Sequence, residues 1–148
     1  MSNFQDIADR VEIEALRGEF TDAGMMRYYD RFAALFTPDG VWRIPDANVH
    51  FGSREEIRAG IERLQSLWEY FVQNTHPGTI QVDGDTATGR ASVAEFGRFR
   101  DGSSHQNYSI YHDRYQRTSD GWRFAERVYE VRYTDDTPLP GTASGSLP

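Results

Sequence analysis

The chain has 148 residues, 38% hydrophobic and 14% aromatic, enough to bury one sizeable core and too few for a second domain. Lys plus Arg number 16 against 23 Asp plus Glu, and the resulting net charge of −7 repels phosphate backbones and anionic membrane surfaces, which argues against nucleic acid and membrane as partners. The absence of Cys excludes disulfides and thiolate chemistry, and with no basic-then-apolar leader in Met1 to Arg10 and no run near the roughly 20 apolar residues of a membrane span, a cytoplasmic protein is expected.

From Ile7 to Phe20 the residues Ile7, Val11, Ile13, Leu16 and Phe20 recur mostly every three or four positions, which predicts a first helix with one buried face. Gly24 interrupts this pattern. Tyr28, Tyr29, Phe32, Leu35 and Phe36 then predict a short second helix ended by Pro38-Asp39-Gly40. Val41 to Ile44 and Val49 to Gly52 read as short strands. Ser53, three residues before Glu56, forms a capping box that opens a third helix. Its apolar positions Ile57, Ile61, Leu64, Leu67, Trp68, Phe71 and Val72 carry it to about Asn74, roughly 30 Å.

Beyond Pro77 the extended segments Thr79 to Val82, Thr86 to Arg100, Ser104 to Arg117 and Trp122 to Tyr133 alternate with turns at Asp83-Gly84-Asp85, Asp101-Gly102 and Asp120-Gly121. Asp-Gly pairs between such runs predict hairpins. Helices followed by a meander make an α+β domain, a curved sheet covered on one face by helices. Residues 1–134 form this domain. Residues 135–148 form a tail whose Pro, Gly and Ser content resists regular structure.

Several motifs resemble the SnoaL-like branch of the nuclear transport factor 2-like superfamily, which includes the scytalone dehydratases and the hexachlorocyclohexane dehydrochlorinase. They are Leu35-Phe36-Thr37-Pro38-Asp39-Gly40-Val41-Trp42, Thr75-His76-Pro77-Gly78-Thr79, Val82-Asp83-Gly84-Asp85 with Ala87 and Gly89, Gly121-Trp122-Arg123-Phe124, and Thr137-Pro138-Leu139-Pro140-Gly141. The resemblance spans roughly Ile7 to Gly141 and implies a cone, in which a bent mixed or antiparallel sheet and three helices enclose a pocket for a small apolar molecule. Fold alone does not select among the family's activities.

In lyase members a histidine at the helix-to-strand junction removes a proton and an aspartate near the end of the first helix steadies it. The resemblance assigns the first role to His76, whose ordinary pKa suits proton transfer near neutrality. The ungapped position of the aspartate holds Met25, while Asp22 lies one helical turn earlier, so either Asp22 reaches His76 or the dyad is absent. Strand alternation with the family alignment turns Ala91, Val93, Glu95 and Gly97 inward, which makes Glu95 a carboxylate in an apolar wall with Arg127 as its partner. A one-residue change of register would instead make these two an outer cross-strand ion pair. Asn107, Ser109 and Tyr111 share one parity; Asn107, Ser109, Arg127 and Tyr129 are expected to place and polarise a substrate oxygen, and Val93 and Tyr111 are further substrate-binding candidates. Trp42 and Met25 supply apolar wall.

His50, His105 and His112 lack the close spacing of a metal-binding motif, and there is no phosphate loop or nucleophile elbow. The reading is a cofactor-independent lyase or isomerase, dehydratase- or cyclase-like, acting on a small cyclic or aromatic-like metabolite, with His76, Asp22 and Glu95 as catalytic candidates and no metal. The alternative is a non-catalytic small-molecule-binding or accessory subunit. A homodimer or homotrimer is expected.

Overall fold

Asn3 caps the first helix by accepting the backbone N–H of Asp6 at 2.8 Å. The computed structural model, which describes residues 3–144, carries α1 over Phe4–Met26 without a break at Gly24. Gly24 costs helix stability but is buried, and α1 continues through it; a Cβ there would meet the Phe32 ring at 3.8 Å, an ordinary contact. The helix stops at Arg27, which adopts the left-handed conformation (φ 61°) that closes helix C-termini. A short α2 (Tyr29–Ala34) follows.

The second helix ends earlier than its apolar spacing suggests, because Phe36 already begins β1 (Phe36–Ile44). Pro38-Asp39-Gly40 lies inside that strand, at a break in register between Phe36 and Val41 where β1 pairs with β7 (Gly121–Asp135). A bulge tolerates proline because no ladder N–H is needed there. β2 (Val49–Phe51) completes a hairpin with β1.

Ser53 caps α3 as its sequence indicates, accepting the N–H of Glu56 at 3.1 Å, but α3 covers only Arg54–Ser66. The expected continuation to Asn74 is wrong. Trp68–Thr75 is a strand, β3, paired antiparallel with β5 (Thr86–Phe99). Leu67, Trp68, Phe71 and Val72 fit a helical stripe, yet the same segment is rich in aromatic and β-branched residues, and the exposed edge of β5 offers it a ladder. Local spacing loses to long-range pairing.

β4 (Thr79–Asp83) and β6 (Ser104–Thr118) complete the sheet, whose order is β2-β1-β7-β6-β5-β3 with β4 also on β5. All pairings are antiparallel except β1 with β7. The glycines of the three predicted turns, Gly84, Gly102 and Gly121, all have positive φ, a conformation a Cβ disfavours. Residues 136–144 contain no helix or strand, although Leu139 donates its N–H to Ser104 Oγ at 3.3 Å; the rest of the predicted tail, 145–148, lies outside the described residues.

The core lies between the helices and the concave sheet face. Phe20 sits at its centre, with ring centroids of Phe32, Tyr111, Phe124 and Trp42 at 4.5, 5.4, 5.7 and 6.1 Å. Beside it is a buried ionic cluster. Arg127 donates to both oxygens of Asp113, at 2.7 and 3.0 Å, and stacks on Tyr111, Phe20 and Phe124. Tyr115 donates to Asp113 at 2.6 Å and accepts from Arg17 at 2.8 Å, and Arg17 also donates to the Thr79 carbonyl at 2.7 Å.

Candidate functional site

Three neighbouring strands place three polar side chains in one row on the concave face. Gln73 of β3 stands opposite Glu95 of β5, and Glu95 stands opposite Asn107 of β6. All three line a cavity of about 410 Å³ whose remaining wall is mostly apolar and aromatic, including Phe20, Phe32, Trp42, Ile61, Trp68, Phe71, Tyr111 and Tyr129. The volume suits one small organic molecule.

Glu95 is the chemical centre of this cavity. Burial pushes its carboxyl up to about 7, opposed by hydrogen bonds from Gln73 and Asn107. Tyr129 donates its hydroxyl to Glu95 Oε1. The result is a carboxyl group that exchanges a proton near neutral pH inside an apolar chamber. The Asn107 Oδ1 atom is buried without a partner, so it offers a free acceptor to a guest. Burial also keeps the Tyr111 hydroxyl protonated, and this group accepts from Trp42 Nε1 at 3.2 Å.

The other sequence candidates divide sharply. His76 is exposed and does not line the cavity, so its placement there is corrected. Once Trp68–Thr75 is a strand, His76 shares the outward parity of exposed Asn74, and its backbone N–H is fixed to Ser92 O at 2.9 Å. Asp22 is also corrected: it lies on the outer face of α1, paired with Arg31 at 2.8 Å. No His76–Asp22 dyad forms.

The expected Glu95–Arg127 pair is replaced as well. Arg127 is inward and buried, as the resemblance implies, but Asp113 takes its guanidinium behind the Tyr111 ring. Trp42, Tyr111, Tyr129, Asn107 and Glu95 do line the cavity. Val93 and Ser109 are buried on the same face without lining it, Val93 within the core and Ser109 between the larger Asn107 and Tyr111 along β6. Met25 is 36% exposed at the end of α1, where its Sδ accepts the Gln73 N–H at 3.4 Å, so it borders the site from outside.

Sequence reasoning missed Gln73 and Thr21, which hydrogen-bond to each other at 2.8 Å between α1 and β3. This contact bridges helix and strand one helical turn before Met25 and three residues before His76, the positions to which the resemblance assigns the aspartate and the histidine. The usable signal was the period-two spacing of Phe71, Gln73 and Thr75, hidden by the helical reading of the same segment. His105, weighed only as a metal ligand, lines the cavity too. Among the described residues, no three His, Cys, Asp or Glu side chains come together in a way that could hold a metal ion.

Gly97, opposite Phe71 and His105, shapes this end of the cavity. A Cβ there would stand 2.6 Å from both Trp68 Cζ3 and the Tyr70 carbonyl oxygen. Gly97→Ala is therefore expected to displace the Trp68 ring and cost about 1–3 kcal/mol. Chemical denaturation followed by tryptophan fluorescence checks this; an unchanged midpoint and spectrum would contradict the packing described.

A family model described as a SnoaL-like domain matches residues 5–128. An uncharacterised protein of Mycobacterium tuberculosis is 27% identical over 132 residues, covering 86% of this chain and 88% of its own length. Among solved structures, hexachlorocyclohexane dehydrochlorinase type 3 of Novosphingobium barchaimii superposes with a TM-score of 0.84 at 20% identity, covering 99% of this chain and 100% of that one. A protein of Novosphingobium aromaticivorans provisionally assigned as a scytalone dehydratase superposes at 0.80 with 19% identity, covering 94% and 97%. These structural likenesses establish the fold. No helix among the described residues is long and apolar enough to cross a membrane.

Proposed function

Because the chain belongs to the SnoaL-like domain family, within the nuclear transport factor 2-like superfamily, we propose that it is a cofactor-independent lyase or isomerase acting on a small, largely apolar cyclic molecule. The observation that carries this reading is Glu95: a carboxyl poised near pH 7, hydrogen-bonded by Tyr129, inside an apolar cavity of about 410 Å³. Burial provides the proton-transfer group, and the aromatic walls provide the affinity. Glu95 exchanges a proton with the guest, and Asn107 Oδ1 receives a hydrogen bond from its hydroxyl or amine. Arg127 neutralises Asp113 and lies behind Tyr111, so neither of that pair adds a free charge to the chamber. Neutral guests are favoured over carboxylates and phosphates.

The dehydrochlorinase and dehydratase likenesses make elimination the leading reaction type. The test is turnover of neutral cyclic alcohols and hydroxyketones by wild type and Glu95→Gln, with binding followed in parallel by tryptophan fluorescence. Loss of at least about a hundredfold in turnover, with binding kept, is the expected result. Binding without turnover by the wild-type protein would favour the second reading, a non-catalytic binding or accessory subunit. The Thr21–Gln73 contact in place of an acid–histidine pair is the observation on that side.

A further inference from the structure

Among the described residues His105 is the one imidazole that lines the cavity, and the site as described gives it no task. It lies on β6 opposite Gly97, one inward position from Asn107. Since Glu95 is opposite Asn107, His105 and Glu95 are diagonal neighbours on one face, a spacing of about 7–8 Å. The missing side chain at Gly97 admits the Trp68 ring, and the imidazole stands edge-on to it with centroids 4.8 Å apart, and 5.8 Å from Phe99. Its Nε2 is buried with no hydrogen-bond partner. A buried polar nitrogen left free in a cavity wall is either a destabilising defect or a contact reserved for a guest.

We propose that His105 is the second proton-transfer residue of this cavity, its Nε2 taking a proton from substrate carbon while the Glu95 carboxyl gives one to a hydroxyl leaving the adjacent carbon. This rests on the elimination reading above and assigns its two halves. As diagonal neighbours on one face, with both side chains lining the same cavity, the two groups can reach adjacent carbons of one guest. The C–H electron pair becomes the C=C π bond, the C–O pair departs with oxygen, and the Glu95 proton completes a water molecule. His105 becomes imidazolium and Glu95 becomes carboxylate. Proton return from His105 to Glu95, through the released water or solvent, resets the pair.

The surroundings favour this direction. Burial lowers the His105 pKa below its ordinary 6.5, so the ring is neutral and able to accept, while burial keeps Glu95 partly protonated near neutrality. Asp136 is the charged group that acts on His105, and it steadies the imidazolium once formed. Glu95 carboxylate keeps the hydrogen bonds of Tyr129, Gln73 and Asn107. The substrate class is therefore a neutral β-hydroxy carbonyl compound, whose acidic C–H neighbours the carbon bearing the hydroxyl.

The experiment uses 3-hydroxy-5-phenylcyclohexanone in D₂O, with α-C–H exchange and enone formation followed by proton NMR. Wild type is expected to catalyse both. His105→Gln should lose both by at least a hundredfold, whereas Glu95→Gln should lose enone formation by a similar factor and keep exchange within a fewfold. His105→Asn, with melting curves for every variant, guards against a folding artefact. Exchange at the wild-type rate in folded His105→Gln and His105→Asn overturns the assignment while leaving the elimination reading intact. A wild-type protein that neither exchanges nor dehydrates the compound overturns both.

Discussion

Replacing Glu95 by Gln is expected to stabilise the protein at pH 8 while removing its activity. The unfolded carboxyl has the ordinary value of 4.5 and the folded one about 7. Between these values the unfolded chain has released the proton and the folded chain retains it, so stability falls as pH rises from about 4.5 to about 7, and the loss is complete above that. The gap corresponds to about 3 kcal/mol. Glutamine keeps the shape and carries no charge, so Glu95→Gln lacks this dependence. Urea unfolding of both proteins from pH 4 to pH 8 should show the stability difference moving toward the variant by about 3 kcal/mol across that window. A pH-independent difference would mean that Glu95 titrates at its ordinary value, and the candidate site would lose its proton-transfer group. A stabilising substitution at a functional residue is the exchange expected where a charge is buried for chemistry.

The second large effect is placed behind the cavity wall. Asp113 is the carboxylate shared by Arg127, Tyr115 and, at 3.9 Å, Arg17, and all four residues are buried. Arg17 has an additional outlet in the partly exposed Glu14 at 3.0 Å, whereas Arg127 has Asp113 alone among the ion pairs of the described residues. Asp113→Ala strands a guanidinium in the core, which costs about 3–5 kcal/mol. For a chain of this size the melting temperature should fall on the order of 10 °C. Because Arg127 supports the Tyr111 ring from 3.9 Å, ligand binding in the cavity should weaken as well. A fall of only a degree or two would show that the Arg127 guanidinium is not left stranded.

These two groups illustrate where sequence reading succeeded and where it stopped. The inward face of Glu95 and Arg127 was legible only with the family resemblance, because alternation along long strands groups every second residue on one face without saying which face is inner. Their pairing was not. Asp113 lies two strand positions beyond Tyr111 on the same inward parity, and only the register of β6 against β7, Asp113 opposite Arg127, shows that it captures the guanidinium first. His76 failed for a different reason. Residues 68–75 carry apolar spacing compatible with either a helix or a strand, and a wrong period reverses which residues point inward, hiding Gln73 and promoting His76. Asp22 failed because α1 continues through Gly24, which keeps Asp22 on the outer face.

The sequence by itself determined the α+β class, the long antiparallel strands, their glycine turns and which residues of β5 share a face, since these depend on local periodicity and backbone sterics. The tertiary structure alone decided which strand flanks β5, which carboxylate holds Arg127, and that Glu95, rather than His76, is enclosed. Such choices depend on competition among partners distant in sequence, and burial acquires its electrostatic consequence only when the chain has closed around the group.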